Sequence, residues 1–383
     1  MNKHLFGYFD YAAATPILPE VLSKMHPYLT DKFYNPSALY LDARNNKNAL
    51  EDARHSVAKS LGARSSEIIF TAGGTEANNL AINGLMSQYP DGNIVTSSIE
   101  HNSLLEPARK FINYLVDPNK KGIIDPKEVG QLINDKTILV SIMYANNEIG
   151  SIQPINEISQ LVKDINNDRI KRRINTPLYF HVDGCQAVNY LDMHVARLGV
   201  DMLTINSGKI YGPKQCGALY IKAGIVISPL IMGGGQEFNL RSGTENLANI
   251  IGFSSSLDII TSSRKSEATR LSGIRDEFIT LLLDKFSNIK LNGPTGNKRL
   301  ANNVHVTILG YDNERLLMML DESGFQIATG SACSASDSEP SHVLSAIGLS
   351  STESQNSIRV TFGRSSTKES SHALIDSITK ILE

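Results

Sequence analysis

A lysine and a cysteine stand in segments that favour reactive roles over structural ones. Lys209 follows an apolar run and lies among small residues in Asn206-Ser-Gly-Lys209, where a desolvated amine would form a Schiff base with an aldehyde. Cys333 lies in Thr329-Gly-Ser-Ala-Cys-Ser-Ala-Ser336, which lacks apolar periodicity, so we expect an exposed, partly ionised thiol on a mobile loop. A snorkelling surface lysine and an unreactive loop cysteine remain the alternatives.

A glycine-rich turn between a predicted strand and a predicted helix is suited to binding an anion. In Phe70-Thr-Ala-Gly-Gly-Thr-Glu-Ala77, Gly73 and Gly74 can adopt backbone angles that expose amide N–H groups. The helix N-terminus adds a partial positive charge, and we expect Thr75 to cap that helix and donate its hydroxyl. An ordinary glycine turn is the alternative, because the segment is neither a Walker loop nor a GxGxxG fingerprint.

Charged and polar side chains at other predicted element ends could hold a ligand. Asp183 ends the strand in His181-Val-Asp-Gly-Cys-Gln186, where its carboxylate would keep a pyridine nitrogen protonated, although capping a helix is its commoner role. Arg359 offers a planar fork that suits a carboxylate. Thr244 either caps the following helix or holds a phosphate. We expect His181 to be a packed strand residue and Cys185 a small buried side chain.

The elements that position these residues alternate between apolar runs of strand length and longer stretches of helical spacing. This alternation predicts a mostly parallel sheet that helices cover on both faces. Ligands bind such sheets at the carboxyl ends of the strands, which is where the residues above fall. The candidate strands are Glu67–Thr71, Asn93–Ser97, Thr137–Tyr144, Leu178–Asp183, Asp201–Asn206 and Gly217–Lys222.

A second group of elements predicts a smaller α+β domain near the C-terminus. A long, mainly helical stretch from Thr244 to about Phe286 leads into it. Its predicted strands are Asn303–Ile308, Gln326–Thr329 and Ser357–Phe362, with helices at Asn313–Glu322 and His342–Ile347 and a closing helix.

Composition excludes several classes of protein. The 383 residues include 37 Lys and Arg against 39 Asp and Glu, a formal charge of −2, so we expect no direct nucleic-acid binding. No apolar run approaches the roughly 18 residues of a membrane helix, and no signal-peptide segment is recognised, so we expect a cytoplasmic protein that binds no membrane. Three cysteines make no disulfide framework, and no metal site is expected.

The basic run Asn166–Arg173 is interpreted as a solvated surface loop, with docking of an acidic partner as the alternative.

Taken together, these segments resemble pyridoxal-phosphate (PLP) enzymes of fold type I and, more closely, cysteine desulfurases of the class V aminotransferase family. The resemblance implies a large PLP-binding domain at 15–260, with a mostly parallel seven-stranded sheet, and a small α+β domain formed by 1–14 and 261–383. Ten segments match in the family's order: YFDYAAATP (8–16), NPSALY (35–40), IIFTAGGTEANNLAI (68–82), EHNSLL (100–105), NNEIG (146–150), HVDGCQAV (181–188), GKIYGPK (208–214), GGGQ with RSGTEN (233–246), GSACSAS (330–336) and SIRVTFGR (357–364).

The resemblance also implies a role for each matching residue. Lys209 would bind the cofactor covalently, Asp183 would pair with the pyridine nitrogen, and His101 would stack over the ring and take part in acid–base chemistry. Asn147 and Gln186 would lie near the ring hydroxyl. Gly74 and Thr75 would bind the phosphate, together with Thr244 of the second subunit. Arg359 would bind the substrate carboxylate, and Cys333 would accept the sulfur.

Two positions depart from the family pattern. Related enzymes usually have His or Ser directly before the lysine, as a donor for the phosphate, whereas this chain has Gly208. Either Ser207 supplies the hydroxyl from a shifted position, or the contact is lost. Phe238 stands where an arginine is common in relatives, and the sequence predicts no effect for it.

The implied activity is the conversion of L-cysteine to L-alanine by a homodimer. Sulfane sulfur would pass to Cys333 as a persulfide and then to an acceptor or scaffold protein, in iron–sulfur cluster assembly or a thiolation pathway. The alternatives are a selenocysteine or sulfinate lyase, another class V PLP enzyme such as an aminotransferase, and a PLP-binding sulfur-transfer scaffold with low turnover. A transaminase would not need the thiol of Cys333, so this residue distinguishes a desulfurase from an aminotransferase.

Overall fold

The computed structural model of the protein describes residues 5–329 and 341–383. Cys333 and the rest of the segment GSACSAS lie outside these described residues, so the expectation of an exposed, mobile loop stays untested. Among the helices of the described ranges, none is long and apolar enough to cross a membrane.

A seven-stranded sheet forms the core of the larger part of the chain, as the family resemblance implies. Its strand order is β1-β7-β6-β5-β4-β2-β3, and only β7 runs antiparallel to its neighbours. The strands are β1 (Ile68–Thr71), β2 (Asn93–Ser97), β3 (Ile112–Val116), β4 (Thr137–Ser141), β5 (Tyr179–Asp183), β6 (Met202–Asn206) and β7 (Gly217–Ile221).

Helices cover both faces of this sheet because its strands are apolar on both sides. Successive strand residues enter different hydrophobic clusters: Leu139 packs in one cluster and Val140 in the other, and Met202 and Leu203 divide in the same way. The helices of this part are α1 (Pro19–Leu29), α2 (Leu41–Leu61), α3 (Gly74–Met86), α4 (Asn102–Ala108), α5 (Pro126–Leu132), α6 (Ile155–Lys171) and α7 (Val195–Leu198).

One 39-residue helix, α8 (Leu247–Lys285), joins this part to a second core. That core packs against a four-stranded antiparallel sheet of order β10-β11-β9-β8. Its strands are β8 (Ile289–Leu291), β9 (Asn303–Ile308), β10 (Ala328–Thr329) and β11 (Ser357–Thr361), and its helices are α9 (Asn313–Glu322), α10 (His342–Ala346), α11 (Ser351–Gln355) and α12 (Lys368–Leu382). Phe9 packs in the same cluster, whereas Tyr11 packs in the cluster of the larger sheet, and the domain bounds stay a prediction.

The basic run Asn166–Arg173 is not the surface loop that the sequence analysis expected. Helix α6 continues through it to Lys171, and Arg169 is buried. Its guanidinium donates to the backbone carbonyls of Asn134, Thr137 and Thr176. The run of charges suggests a solvated loop, but the buried Arg169 instead ties the end of α6 to neighbouring segments.

A buried ion pair holds a left-handed backbone segment against β1. Glu237, Phe238 and Asn239 have φ values of 46°, 58° and 64°, a conformation that costs L-residues about 1–2 kcal/mol each. The Arg54 guanidinium donates two hydrogen bonds to the Glu237 carboxylate, at 2.6 and 2.7 Å, and the Phe70 N–H donates a third at 2.8 Å. Phe238, at the position where relatives have arginine, places its ring 5.1 Å from this guanidinium. The pair therefore holds the segment that leads to Thr244.

Replacing Arg54 with methionine is expected to lower the free energy of unfolding by about 3–5 kcal/mol, because the buried Glu237 carboxylate then lacks its cation. Urea unfolding measures the change. Arg109→Met is the control: Arg109 pairs with Glu106 at 2.6 Å, but both side chains are more than half exposed, so the loss should stay within about 1 kcal/mol. Equal losses in the two variants would contradict the assigned role.

Candidate active site

A cavity of about 340 Å³ opens at the carboxyl ends of β4, β5 and β6 and is closed on its other side by residues of β11 and α10. It brings together residues from both sequence-predicted domains. Eight of the predicted site residues line it: Gly74, Thr75, His101, Asn147, Asp183, Gln186, Lys209 and Arg359. Ser207 and Thr244 do not line it, and Cys333 is outside the described residues.

Asp183 ends β5 with its carboxylate held by two donors. The backbone N–H of Cys185 donates to Oδ1 at 2.9 Å, and Asn78 Nδ2 donates to Oδ2 at 2.8 Å. Asn78 lies on α3 and also donates to Ser103 Oγ, so helix and strand are tied together beneath the cavity. These bonds fix the orientation of the carboxylate without neutralising its charge, which suits a protonated ring nitrogen.

His101 comes directly before α4, and its ring orientation is set by the first turn of that helix. The Ser103 N–H donates to His101 Nδ1 at 3.0 Å. An Nδ1 that accepts a hydrogen bond carries no proton, so in the neutral imidazole the proton is on Nε2. The ring is thus held in one tautomer at the cavity wall.

Lys209 follows β6 in a single 3-10 turn, Ser207–Lys209, and reaches the N-terminal segment. Its Nζ donates to the carbonyl oxygens of Ala12 and Ala13 at 2.9 and 2.6 Å. Gln186 Nε2 donates to the same Ala12 carbonyl at 3.0 Å. Two backbone acceptors therefore hold the amine beside the cavity.

The glycine-rich turn leads into α3 as predicted, but Thr75 does not cap the helix. Helix α3 begins at Gly74 after the cap residue Gly73, whose φ is 139°, so Thr75 lies inside the first turn. A Cβ on Gly74 would stand 2.9 Å from Cys185 Sγ, so a larger residue would crowd the cavity. The N–H groups of this first turn have no partner within the helix and remain able to bind an anion.

A carboxylate in the same first turn is balanced by an arginine. Glu76 accepts the Ala72 N–H at 2.8 Å and Arg241 Nε at 2.9 Å. Arg241 thereby offsets a negative charge that would repel an anion from this helix end. This contact also ties the segment before α8 to the glycine turn.

Thr244 is exposed, and it does not cap α8. That helix begins at Leu247, and Asn246 is its cap, with a side chain that accepts the Asn249 N–H. The predicted contact between Thr244 and a cofactor in a second subunit stays a prediction.

Ser207 is fully buried, with no hydrogen-bond partner for its Oγ among the described residues. The neighbouring Asn206, which the sequence analysis did not select, lines the cavity instead.

Arg359 reaches the cavity from β11 and is buried. Its Nη2 donates to Asp10 Oδ1 at 2.7 Å, and its Nη1 donates to the Asn147 carbonyl at 3.1 Å. Within the described residues its Nε has no acceptor. The guanidinium thus joins the small sheet to the loop after β4 and retains a free donor.

Two glutamates that the sequence analysis did not select also line the cavity. Burial raises the pKa of Glu100 to about 8 and that of Glu148 to about 7. Glu148 Oε2 accepts the Ser341 hydroxyl at 2.6 Å, and the carbonyl of Glu100 accepts His342 Nε2 at 2.9 Å. The chain therefore returns to the cavity wall directly after the undescribed segment 330–340. Glu100 lies in the matched segment EHNSLL and Glu148 in NNEIG, so the sequence offered a signal by which both could have been selected.

His181 and Cys216 take structural positions, whereas Cys185, which the sequence analysis expected to be a small buried side chain, does not. His181 is buried between Ser141 Oγ and Thr204 Oγ1, and burial lowers its pKa to about 4, as expected for a packed strand residue. Cys185 lines the cavity and is only partly buried, and desolvation raises its thiol pKa. Cys216 is buried, which also raises its pKa. Within the described ranges, no group of three or more His, Cys, Asp or Glu is arranged to hold a metal ion.

Comparison with known proteins places the chain in a family. The model of the aminotransferase class-V family matches residues 7–374. A protein named cysteine desulfurase IscS from Dictyoglomus turgidum is 43% identical over 98% of this chain and 94% of its own length.

Two solved structures share the fold. One, titled as a NifS-like protein, superposes with a TM-score of 0.89 at 30% identity and covers 98% of both chains. Another, titled SspA in complex with cysteine, superposes with a TM-score of 0.80 at 34% identity over 94% of this chain and all of its own. With its cavity, its fold and its full-length match, this chain belongs to the class V aminotransferase family.

Proposed function

We propose that the protein is a PLP-dependent cysteine desulfurase, which converts L-cysteine to L-alanine and transfers the sulfur to a cysteine of its own. The observation that carries the proposal is the arrangement of one cavity. Lys209, Asp183 and Arg359 line it together, and His342 and Ser341 lie at its wall, eight or nine residues after Cys333 in the sequence. The names of the similar proteins, a cysteine desulfurase and a structure with bound cysteine, support the same substrate.

The class V family depends on PLP, and the donor set of the cavity fits this cofactor. Asp183 offers an ionised acceptor to the ring nitrogen, Lys209 offers an amine to the aldehyde, and His101 offers a flat ring for stacking. The first turn of α3 offers unpaired N–H groups to the phosphate, beside a glycine whose Cβ would fill the space. When bound, PLP supplies an electron sink for the charge that develops at the substrate Cα.

The residues of the chain then bind the substrate and move its protons. Arg359 holds the substrate carboxylate by charge-assisted hydrogen bonds. The Lys209 amine would take the Cα proton, and the Asp183 carboxylate would hold a proton on the ring nitrogen of the cofactor. His101, with its proton on Nε2, is placed to donate or receive a proton near the reacting atoms.

Cys333 completes the reaction as the sulfur acceptor. Its thiolate attacks the substrate sulfur, and a new S–S bond forms as the Cβ–S bond breaks. The electron pair of the broken bond stays on the substrate Cβ, and protonation of Cβ together with return of a proton to Cα yields alanine. The product on the enzyme is a persulfide, which an acceptor thiol or scaffold protein then removes.

A homodimer, an acceptor protein and a cytoplasmic location belong to the same proposal. Large apolar side chains are exposed in two stretches, 29–41 and 226–238, as expected of a surface that a partner covers. Thr244 is exposed shortly after the second stretch, which fits its proposed contact with the cofactor of another subunit. The apolar side chains in question include Leu29, Phe33, Leu39, Leu41, Val226, Met232 and Phe238.

Cys333→Ala is expected to abolish persulfide and alanine formation while PLP still binds, because the variant loses only the sulfur-accepting thiol. Mass spectrometry after incubation with L-cysteine detects the persulfide, and visible absorbance reports the cofactor. Cys216→Ala is the matched control, since that thiol is buried with a raised pKa and should remain unmodified. Persulfide on the C333A variant would show that the assigned nucleophile is wrong.

Lys209→Arg is expected to reduce kcat by about 10²- to 10⁴-fold or more, even with excess PLP. Arginine keeps the positive charge and can still donate to the Ala12 and Ala13 carbonyls, but it cannot act as a base at neutral pH. Borohydride treatment of wild type followed by peptide mapping should place the cofactor mass on Lys209. A cofactor mass on another lysine would refute this assignment.

Glu148→Gln is expected to remove a pH dependence from substrate binding. Below its pKa of about 7, Glu148 is neutral, so wild type and E148Q should have similar KM values for L-cysteine. Above pH 7, the ionised carboxylate attracts the Arg359 guanidinium and opposes the substrate carboxylate. The wild-type KM should then exceed that of E148Q by about 3- to 10-fold at pH 8.5, equivalent to roughly 1 kcal/mol.

Glutamine preserves the acceptor for the Ser341 hydroxyl, so the two proteins differ in charge and not in that contact. The measurement is the ratio of the two KM values between pH 6 and pH 8.5. A ratio that does not change over this range would show that Glu148 does not control the charge near Arg359.

A further inference from the structure

We propose that Asn78 and Ser103 are positioning residues, which join Asp183 to His101 by a continuous chain of side-chain hydrogen bonds and so hold the His101 proton on Nε2. The role of His101 in the reaction rests on the proposed function, whereas the hydrogen-bond chain is a property of the fold. Both positioning residues lie in segments that the sequence analysis matched without giving them a role, IIFTAGGTEANNLAI and EHNSLL.

The chain begins at the Asp183 carboxylate, which fixes the orientation of the Asn78 amide. Asn78 lies on α3 and is fully buried, and its Nδ2 donates to Asp183 Oδ2 at 2.8 Å. The opposite orientation would place the amide oxygen against the carboxylate, where neither group has a proton to share. The observed orientation is kept although it leaves the buried Asn78 Oδ1 without a partner among the described residues. The charge of Asp183 therefore decides which way this amide faces.

The same amide nitrogen fixes the direction of the Ser103 hydroxyl. Asn78 Nδ2 uses its second proton to donate to Ser103 Oγ at 2.9 Å. Because the oxygen accepts this bond, its own hydroxyl proton is left for another acceptor. That acceptor is His101 Nδ1, which lies 2.8 Å from Ser103 Oγ.

His101 Nδ1 is thus contacted by two donors of one residue. Besides the hydroxyl, the Ser103 backbone N–H donates to this nitrogen at 3.0 Å. A backbone N–H can only donate, so a proton on Nδ1 would face it without an acceptor. The neutral imidazole therefore carries its proton on Nε2, and His101 enters the reaction as a donor at that atom. The bond from Asn78 polarises the hydroxyl and strengthens its donation to Nδ1, which extends the influence of Asp183 to the ring.

The next residue of α3 offers a matched control, because it joins the same two helices outside the chain. Asn79 Nδ2 donates to the Ser103 backbone carbonyl at 3.3 Å and so also ties α3 to α4. The other hydrogen bonds of its side chain join it to the Thr75 carbonyl and to Asn83. Asn79→Ala therefore removes a tie between the helices and leaves the hydrogen-bond chain intact.

The test follows the His101 ring by ¹⁵N NMR and needs no turnover. Full-length protein with ¹⁵N-labelled histidine is measured with PLP bound and without substrate, at one pH. The chain has nine histidines, and the His101 signals are those that His101→Gln lacks. Wild type is compared with Ser103→Ala, Ser103→Thr, Asn78→Ala, the double variant of Ser103→Ala with Asn78→Ala, and the control Asn79→Ala.

Wild type should show a protonated Nε2 and an unprotonated Nδ1 that accepts hydrogen bonds. Ser103→Ala should move the Nδ1 signal downfield, toward that of an imidazole nitrogen without a hydrogen bond. In the same variant kcat for alanine formation should fall by about 3- to 10-fold with KM within about twofold, as for loss of one hydrogen bond. Ser103→Thr keeps the hydroxyl and should match wild type in both measurements.

Asn78→Ala should move the Nδ1 signal part of the way in the same direction, although Asn78 does not contact His101, because the hydroxyl loses the bond that orients it. Added to Ser103→Ala, it should cause no further movement, since the two residues act through one hydroxyl. Asn79→Ala should leave the signal unchanged.

A proton on Nδ1 in wild type, or an unchanged Nδ1 signal in S103A, would overturn the proposal. Movement of the signal by Asn78→Ala in the S103A background, or equal movement in N79A and N78A, would also overturn it, because Asn78 would then act through helix packing. If N78A does not fold, the comparison of S103A with S103T still decides whether the hydroxyl acts on the ring. A wild type that binds PLP and forms no alanine from L-cysteine would refute the proposed activity, while the NMR comparison still decides the hydrogen-bond chain.

Discussion

Strands β4, β5 and β6 run parallel and end at the same edge of the sheet, and the whole candidate site depends on this alignment. The loop after β4 carries Asn147 and Glu148, the end of β5 carries Asp183, and the turn after β6 carries Lys209. A register shift of one residue would turn the Asp183 side chain from one face of the sheet to the other. Hydrogen bonds from Asn78 Nδ2 and the Cys185 N–H hold the Asp183 carboxylate in the observed register.

Charge in the cavity is arranged in opposed pairs with separate tasks. Arg241 offsets Glu76 at the helix end that would bind a phosphate, and Asp10 orients Arg359, whose Nε has no acceptor among the described residues. Burial favours the neutral forms of Glu100 and Glu148, which limits the negative charge around an anionic substrate. The same two glutamates contact His342 of α10 and Ser341, the residue before it, and so hold the start of α10 at the cavity wall.

Much of the fold was predictable because its strands are strongly apolar and its helices periodic. Asn93–Ser97, Asn303–Ile308 and Asn313–Glu322 match their predicted bounds. The strand Ile112–Val116 was missed because it lies at the edge of the sheet with three exposed residues, and Ile289–Leu291 because it is only three residues long. The helical end of α6 was missed because a run of charges hides a buried arginine.

The site was predictable where a residue type carries its chemistry, and less so where backbone geometry decides. Lys209, Asp183 and Arg359 could be selected because few structural reasons place such groups at strand ends. The choice between Asn206 and Ser207 could not be made from the sequence, since it depends on which side chain a tight turn buries. Thr75 was wrongly expected to cap α3, and the capping alternative for Thr244 fails, for a similar reason: each helix begins at a different residue than its threonine suggested.

The measurement that tests the central claim most directly is quantification of alanine from purified protein incubated with PLP, L-cysteine and a thiol reductant that removes persulfide sulfur. The account predicts alanine in excess of enzyme, with an equal amount of sulfide released. A protein whose absorbance shows bound PLP but which forms no alanine would contradict it.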